Sequence, residues 1–215
     1  MVNCVCCGQR AAHDICPACH AEIPWIEHAC TCCGIPLPYP ALCALCQIKP
    51  PPFTGCISPL AYATPISHLL SAFKYQQQLH YGRLLSRLLI DRLRGCDELA
   101  VDAIVPTPLH WLRRWTRGFN QAEIIADEIS RALSIPLQAR WLRRVRATPR
   151  QQELSAEQRR KNLHGAFVAT RALTGLRIAL VDDVVTTGAT TSEISRVLLA
   201  AGAVSVQVWC LARTP

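Results

Sequence analysis

Residues 178–190 read Ile-Ala-Leu-Val-Asp-Asp-Val-Val-Thr-Thr-Gly-Ala-Thr, and this stretch decides the fold. Its four leading apolar residues predict a buried parallel strand that ends at two adjacent carboxylates, Asp182 and Asp183. Apolar residues then recur at helical spacing as far as Gly202, which predicts an amphipathic helix. A strand, a loop of small residues and a helix start present backbone N–H groups and a helix dipole to a phosphate group. The stretch therefore predicts a phosphate-binding strand, loop and helix.

The loop of this unit contains the groups that a phosphorylated sugar needs. Gly188 allows close approach of the backbone, and Thr186, Thr187 and Thr190 add hydroxyl donors. The loop has no lysine, which excludes a nucleotide P-loop. The acidic pair follows the strand, at the edge where open α/β sheets bind ligands. A purely structural turn capped by the two aspartates is the alternative, but adjacent carboxylates after a buried strand are costly without a partner.

The same thirteen residues resemble the signature of type I phosphoribosyltransferases, which bind phosphoribosyl pyrophosphate (PRPP) with Mg²⁺. The resemblance implies that Asp182 and Asp183 are the catalytic pair and bind the ribose hydroxyls, directly or through Mg²⁺. It places the 5′-phosphate of PRPP on residues 186–190, namely Thr186, Thr187, Gly188, Ala189 and Thr190. It also implies that the loop 107–114 faces the pyrophosphate, with Thr107, Pro108, His110, Arg113 and Arg114 as its binding residues.

The bulk composition sets limits on the kind of protein. A chain of 215 residues has room for one α/β domain and a small additional module. The net charge of +8 indicates anionic partners, either phosphates or nucleic acid. No apolar run approaches the roughly 18 residues of a membrane span, and the start of the chain lacks the features of a signal peptide. We expect a cytoplasmic protein with no membrane insertion.

The cysteines mark a separate module at the N-terminus. Ten of the thirteen precede residue 47, and their odd number in a reducing compartment argues against disulfides. Four CxxC knuckles form an internal repeat, and two knuckles complete a tetrahedral Zn²⁺ site. The eight knuckle residues are Cys4, Cys7, Cys16, Cys19, Cys30, Cys33, Cys43 and Cys46. We expect two structural zinc ions, with sequential pairing favoured and interleaved pairing open.

Other residues of the module compete for the ligand positions. Cys6 and Cys32 occupy the same extra place in both repeats, and His13, His20 and His28 are further candidates. A segment this short cannot bury an adequate core, so the interpretation that metal replaces the core is preferred over a finger that contacts nucleic acid. The predicted domains are a double zinc ribbon over 1–48, a proline-rich linker over 49–55 and a phosphoribosyltransferase domain over 56–215.

The order of elements in the larger domain predicts a parallel doubly wound α/β sheet. Strands are expected over 56–63, 101–105 and 204–211, and two helices over 66–94. Asn120 has the pattern of an N-cap and opens a helix through Leu133. A hood over the site has to come from residues 56–100 and the zinc module.

Residues 140–161 carry eight basic and two acidic side chains, a net +6 (8 − 2). Such a run is usually a solvated or mobile loop. The resemblance to phosphoribosyltransferases implies that residues 143–161 are the flexible lid that closes over pyrophosphate, with Arg146, Arg159, Arg160 and Lys161 as its basic residues. The alternative is a track for single-stranded DNA, because basic residues alternate with Trp111, Trp115, Phe119 and Trp141. Packing of these aromatic side chains in the hood and core is the simpler explanation.

Several segments together resemble the ComF/GntX family over nearly the whole chain. They are the knuckles, Phe73-Lys74-Tyr75, Arg117-Gly-Phe-Asn-Gln121, the segment 146–167 with Gln151 and Asn162, and the PRPP motif. Members of that family carry a double zinc ribbon and a phosphoribosyltransferase domain, and are linked to the handling of imported DNA.

The family resemblance implies a PRPP-binding, phosphoribosyltransferase-like protein that acts in nucleotide or base metabolism coupled to the uptake or use of DNA. Its implied cofactors are Zn²⁺ and, with PRPP, Mg²⁺. Single-stranded DNA and DNA-uptake or competence proteins are the further partners that it suggests. The alternative is a competence factor that binds single-stranded DNA and whose PRPP site is regulatory or vestigial. Neither the acceptor base nor the oligomeric state follows from the sequence.

Overall fold

The computed structural model of the chain describes residues 1–96, 99–109, 118–146 and 163–215. The N-terminal part contains β1 (Val2–Asn3), β2 (Arg10–Ala11), α1 (Pro17–Ala21) and α2 (Ala44–Ile48). The rest of the described chain contains β3 (Gly55–Ile57), β4 (Leu60–Ala61), α3 (Ile66–Tyr75), α4 (Leu79–Arg94), β5 (Ala103–Pro106), α5 (Gln121–Leu133), β6 (Leu142–Arg144), β7 (Phe167–Ala169), β8 (Arg177–Val185), α6 (Ala189–Ala200) and β9 (Ser205–Arg213).

A parallel sheet forms the centre of the molecule, with the order β3, β9, β8, β5. The strand β8, predicted from the opening stretch, lies inside the sheet and pairs with β5 on one side and β9 on the other. Its first apolar residues, 178–181, are completely buried, as expected for a central parallel strand. All these pairings are parallel, so the carboxyl ends of β5, β8 and β9 lie at one edge, where a ligand site is expected.

Helices cover both faces of the sheet. Successive residues of β8 point in opposite directions, so alternate residues pack against the helices of each face. Ala179 and Val181 pack in the cluster that contains α3, α4 and α5. Ile178 and Leu180 pack in the other cluster, with Ile194 and Leu198 of α6 as its helical members. The predicted doubly wound α/β architecture is confirmed. At the start of β8, a double hydrogen bond from Arg177 to Asp102 ties the strand to the segment before β5.

A single strand was predicted over 56–63, and this prediction was wrong because the structure has two short strands there. β3 and β4 both pair in parallel with β9, but Ser58 and Pro59 interrupt them. Pro59 has no N–H to donate to a neighbouring strand. Its carbonyl accepts a hydrogen bond from the N–H of Ile26 at 2.8 Å. The interruption thus creates the place where the cysteine module joins the sheet.

The cysteine module packs directly against the larger domain. Trp25 forms an antiparallel bridge with Leu60, and Ile15 and Ile23 belong to the main hydrophobic cluster. Gly55, inside the predicted linker, is the first residue of β3. The boundaries 1–48, 49–55 and 56–215 stay a prediction. Among the described residues, no helix combines the length and the apolar character needed to cross a membrane.

Candidate functional site

A cavity of about 440 Å³ opens at the carboxyl ends of β5 and β8. Its walls come from four parts of the chain: the end of β8 with the following loop, the end of β5, the start of α5, and α3. Its lining includes the predicted residues Asp182, Asp183, Thr186, Thr187, Gly188, Ala189, Thr190, Thr107 and Pro108. The structure therefore brings together most of the predicted site residues, although they come from two separate segments.

The acidic pair forms the floor of this cavity. Asp182 Oδ1 accepts the N–H of Asp183 at 2.9 Å, and Asp183 Oδ1 accepts the N–H of Val184 at 2.6 Å. Burial and the like charge of Asp183 raise the pKa of Asp182 to about 7. Near neutral pH, the empty site therefore holds one of its two carboxylates partly protonated. This is the energetic cost that the sequence predicted for adjacent carboxylates after a buried strand.

Lys74 of α3 lies above the acidic pair, and its Nζ is 2.9 Å from Asp183 Oδ2. Both side chains are largely buried, with 19% and 16% of their surface exposed. Burial opposes the charge of Lys74, but the Asp183 carboxylate outweighs it and raises the pKa of the lysine. In the sequence, Lys74 is recognisable only as part of the motif Phe73-Lys74-Tyr75, which implies no role for it. No local spacing connects it with Asp183, which lies more than a hundred residues later.

The packing of α3 explains how Lys74 is held over the site. The buried face of the helix contains Leu69, Leu70 and Phe73, next to the lysine. Gly82 of α4 lies against the Phe73 ring so closely that a Cβ there would be 2.5 Å from ring atoms. The close crossing of α3 and α4 therefore depends on glycine at position 82. Residues 66–75 form the hood that was expected from the region 56–100.

The loop 186–190, called the phosphate loop below, has a backbone geometry that suits anion binding. Gly188 has φ 72°, a left-handed conformation that favours glycine, and directly precedes α6. Thr187 Oγ1 accepts the N–H of Ala189 at 3.4 Å, and Thr191 Oγ1 donates to the Gly188 carbonyl at 3.1 Å. Within the described chain, no hydrogen bond uses the N–H groups of Thr187 and Gly188. These donors and the N-terminus of α6 suit a phosphate group.

Thr107 completes the floor beside the acidic pair. Its N–H donates to the Val181 carbonyl at 2.8 Å, which extends the pairing of β5 with β8. Asn120 donates to the Thr107 carbonyl at 3.1 Å and also caps α5, as predicted. The Thr107 hydroxyl is buried beside Asp182 and lowers the pKa of that carboxyl, but it makes no hydrogen bond of ordinary geometry with a described residue. A ligand with hydroxyl or phosphate oxygens would satisfy it. His110, Arg113 and Arg114, predicted in the same loop, lie outside the described residues.

The eight knuckle cysteines form two separate clusters. Cys4, Cys7, Cys16 and Cys19 are one group, and Cys30, Cys33, Cys43 and Cys46 are the other, with all sulfurs of a group within 4.8 Å of one another. The pairing is sequential, so the interleaved alternative is excluded by geometry. All thirteen cysteines are free of disulfide bonds, and among the described residues neither Cys6, Cys32 nor a histidine joins a cluster.

The electrostatics of each cluster favour one thiolate, at Cys4 and at Cys30. Hydrogen bonding with Cys16 raises the pKa of Cys19, and burial raises the pKa of Cys33 and Cys46. The N–H of Cys16 donates to Cys4 Sγ at 3.3 Å and lowers the pKa of Cys4 to about 6. Burial opposes the same effect at Cys30, but the N–H groups of Cys33 and Cys43 outweigh it and lower that pKa to about 6. Four sulfurs in one group form the ligand set of a structural zinc site. Each cluster therefore has the chemistry to hold one Zn²⁺.

Most of the predicted basic lid lies outside the described residues, including Arg159, Arg160 and Lys161. Arg146 is described and donates to the His164 carbonyl at 3.0 Å, next to the far end of that segment. Two of the aromatic residues considered for DNA stacking are described and already have contacts. The rings of Phe119 and Phe73 are 5.7 Å apart, and the Arg171 guanidinium lies 5.0 Å from the Trp141 ring.

Comparison with known proteins gives the family. No family model matches the chain. The DNA utilization protein YhgH of Salmonella typhimurium is 38% identical to it over 205 residues, which cover 93% of this chain and 90% of the relative. Competence protein F of Haemophilus influenzae is also 38% identical, over 94% of this chain and 92% of the relative. This chain belongs to the ComF family. Its resemblance to competence protein ComFC of Bacillus subtilis is more distant, at 27% identity over 93% of this chain and 84% of that protein.

Two solved structures with a similar chain path are named phosphoribosyltransferases. Purine phosphoribosyltransferase from Pyrococcus horikoshii has a TM-score of 0.41 and 21% identity, over 62% of this chain and 74% of its own. Adenine phosphoribosyltransferase from Leishmania tarentolae has a TM-score of 0.40 and 16% identity, over 68% and 73% of the two chains. These values are too low to support any argument about substrate. The ComF relationship, the parallel sheet and the two cysteine clusters agree with the predicted fold, a phosphoribosyltransferase domain with N-terminal zinc ribbons.

Proposed function

We propose that this ComF-family protein binds PRPP with Mg²⁺ and acts as a phosphoribosyltransferase-like protein in base or nucleotide metabolism linked to the use of external DNA. The observation that carries the proposal is the acidic pair and the phosphate loop, which face one cavity of about 440 Å³. The curated relatives are named for DNA utilization and competence, which supports the biological setting.

Each part of the site has a separate role in this proposal. The N–H groups of Thr187 and Gly188 and the N-terminus of α6 hold the 5′-phosphate. The ribose hydroxyls lie against Asp182 and Asp183, and the loop that begins at Thr107 faces the pyrophosphate. Lys74 contributes a cation above the carboxylates and balances their charge when the site is empty.

The residues of the site fit a Mg²⁺ ion that enters with its substrate. Mg²⁺ prefers oxygen ligands and usually keeps several waters, with one or two carboxylates and substrate oxygens completing its shell. Asp182 and Asp183 supply the carboxylates, and since burial and the charge of Asp183 raise the pKa of Asp182, a bound cation would stabilise its ionised form. Bound there, Mg²⁺ would neutralise the leaving pyrophosphate. The protein residues orient the ribose and keep its C1′ accessible to an acceptor from the hood side.

Calorimetric titration with PRPP and Mg²⁺ tests the binding proposal. Removing a charged hydrogen-bonding group costs about 1.5–3 kcal/mol, so Asp182→Asn should weaken PRPP binding by about tenfold or more. Asp102→Asn is the matched control, because Asp102 pairs with Arg177 at the opposite end of β8. Equal affinities for PRPP in the wild type and Asp182→Asn would remove the site assignment.

The number of protons released on binding gives a second, independent readout. With its pKa at about 7, Asp182 is roughly half protonated at pH 7 in the empty site. Binding that requires the carboxylate should release about half a proton, measured as the dependence of the binding heat on the buffer. Asp182→Asn should lower the release by about half a proton, leaving only the protons that come from the phosphate groups of PRPP. Catalytic activity is tested by a screen of acceptor bases with PRPP and Mg²⁺, in which pyrophosphate release is followed.

The second candidate function is binding of single-stranded DNA, with the PRPP site regulatory or vestigial. It is supported by the net charge of +8 and by the names of the relatives. Replacing Arg159, Arg160 and Lys161 with Gln separates the two. If these residues hold DNA phosphates, the slope of log affinity against log salt should fall by about 0.7 per lost contact. If they close a lid, PRPP affinity should fall and the DNA slope should not change.

A further inference from the structure

The guanidinium of Arg213, the last residue of β9, connects the second cysteine cluster with the phosphate loop. Its side chain is buried, with 6% exposed. Nε donates to the carbonyl of Cys33 at 3.0 Å, and Cys33 is one of the four clustered cysteines. One terminal nitrogen donates to the Val185 carbonyl at 3.2 Å and to the Thr186 carbonyl. One side chain thus touches both structures.

The phosphate loop separates the cavity from a second opening, a groove of about 810 Å³. Arg213 lines the groove, whereas the acidic pair and Thr107 line the cavity. In a trans peptide the C=O of one residue and the N–H of the next point in opposite directions. Arg213 holds the Thr186 carbonyl on the groove side and shares the Val185 carbonyl with the Thr214 N–H, so the N–H groups of Thr186 and Thr187 are directed to the cavity side. These are donors that a phosphate in the cavity would need.

The positive charge of Arg213 also favours binding of a phosphate in the cavity. Its hydrogen bonds with described residues all go to backbone carbonyl oxygens. Carbonyl groups carry no net charge, so the positive charge of the guanidinium remains behind the loop and favours an anion in front of it. The nearby Arg196 differs, because it is 55% exposed and pairs with Glu193 at 3.0 Å.

The second cluster packs closely against the sheet beside this contact. Gly34, directly after Cys33, lies against β3 so closely that a Cβ would be 2.7 Å from the Cys56 carbonyl oxygen. The corresponding Gly8 of the first cluster has nothing within 4 Å of a Cβ. Only the second of the two repeats is therefore in close backbone contact with the sheet at this position.

We propose that Arg213 is a positioning residue that orients the phosphate loop, and that metal in the second cysteine cluster, not the first, keeps Arg213 in place. The inference rests on the proposed function only for the identity of the anion. The orientation of the loop can be measured without any ligand.

Hydrogen exchange of the full-length protein, followed by mass spectrometry, tests the loop directly. Arg213→Lys keeps the charge but cannot reach the carbonyls of Cys33, Val185 and Thr186 together. The amides that donate to loop carbonyls, Ser192 to Gly188 and Thr214 to Val185, should exchange at least about tenfold faster, since the hydrogen bonds by which Arg213 holds the loop are lost. Arg196→Lys is the matched control and should leave the loop unchanged. An unchanged exchange rate in Arg213→Lys would overturn the proposal.

The metal part is tested with variants of the two clusters in the same measurement. Cys30→Ser, in the second cluster, should accelerate exchange of the Ser192 and Thr214 amides, and Cys4→Ser, in the first, should not. The metal content of each protein confirms which ion is lost. If Cys30→Ser folds poorly, the wild type treated with limiting chelator provides the comparison, with loop exchange plotted against zinc content. Equal loop effects from both clusters would refute the coupling.

Binding measurements with two fragments of PRPP distinguish a positioning role of Arg213 from a general loss of structure. Arg213→Lys should weaken binding of ribose 5-phosphate, which carries the 5′-phosphate, and leave binding of inorganic pyrophosphate unchanged. Equal weakening of both would mean that the arginine only stabilises the fold and would overturn its positioning role. If the wild type binds neither PRPP nor ribose 5-phosphate, the proposed function fails, while the exchange measurement still decides the role of Arg213.

Discussion

Replacing each member of the acidic pair with asparagine should change stability in opposite directions. Asp182 has its pKa raised to about 7, against roughly 3.9 in an unfolded chain. The folded protein therefore binds a proton more tightly than the unfolded one. Stability due to this group is highest below the unfolded pKa and is lost as the pH rises from about 4 to 7. The amide side chain introduced by Asp182→Asn is neutral at every pH, so the variant avoids that loss.

The magnitude follows from the shift of about three units in the pKa of Asp182. At about 1.36 kcal/mol per unit, full conversion gives a loss of about 4 kcal/mol at pH 8. Because the side chain borders an open cavity, we expect Asp182→Asn to stabilise the protein by about 2–4 kcal/mol at pH 8. The gain at pH 5 should be less than about half of that, since this pH is only about one unit above the pKa of the unfolded carboxyl.

Asp183→Asn is the matched comparison, because Asp183 is the partner of Lys74 at 2.9 Å. Its replacement leaves a largely buried lysine without its carboxylate, which should destabilise the protein by about 1–3 kcal/mol. Urea unfolding at pH 8 and pH 5, without Mg²⁺, measures both variants against the wild type. Effects of acid on the cysteine clusters are common to all three proteins and cancel in the differences. A stability loss in Asp182→Asn at pH 8, or no pH dependence of its gain, would refute the reasoning.

Three further predictions concern the metal clusters and the hood. Metal analysis should find two Zn²⁺ per chain in the wild type and in Cys32→Ser, but only one in Cys30→Ser. At most one Zn²⁺ in the wild type would contradict the sequential clusters. Gly34→Ala should destabilise more than Gly8→Ala in thermal unfolding, because both glycines have positive φ, at 69° and 76°, but only Gly34 is in close backbone contact with β3. Lys74 lowers the pKa of Asp182, so Lys74→Gln should raise the apparent pKa of proton release on PRPP binding above that of the wild type. An unchanged pKa would show that the lysine does not act on the acidic pair.

The sequence was sufficient where the relevant contacts are local. The apolar run, the acidic pair and the Thr/Gly loop specify a buried strand, a turn and a helix start within thirteen residues. The CxxC knuckles are equally local, because each places two thiols on one tight turn. The N-cap at Asn120 and the two helices over 66–94 followed from the same short-range rules and are confirmed.

Tertiary structure decided the contacts between distant segments. The ion pair of Lys74 with Asp183 and the contact of Arg213 with Cys33 join residues whose proximity no spacing encodes. The repeat favoured sequential pairing of the knuckles, but only the folded module excluded the interleaved alternative. They depend on the order of strands in the sheet and on the break at Pro59, where the cysteine module meets it. Side-chain direction along a strand alternates at every residue, so only the final register determines which groups meet across the sheet edge.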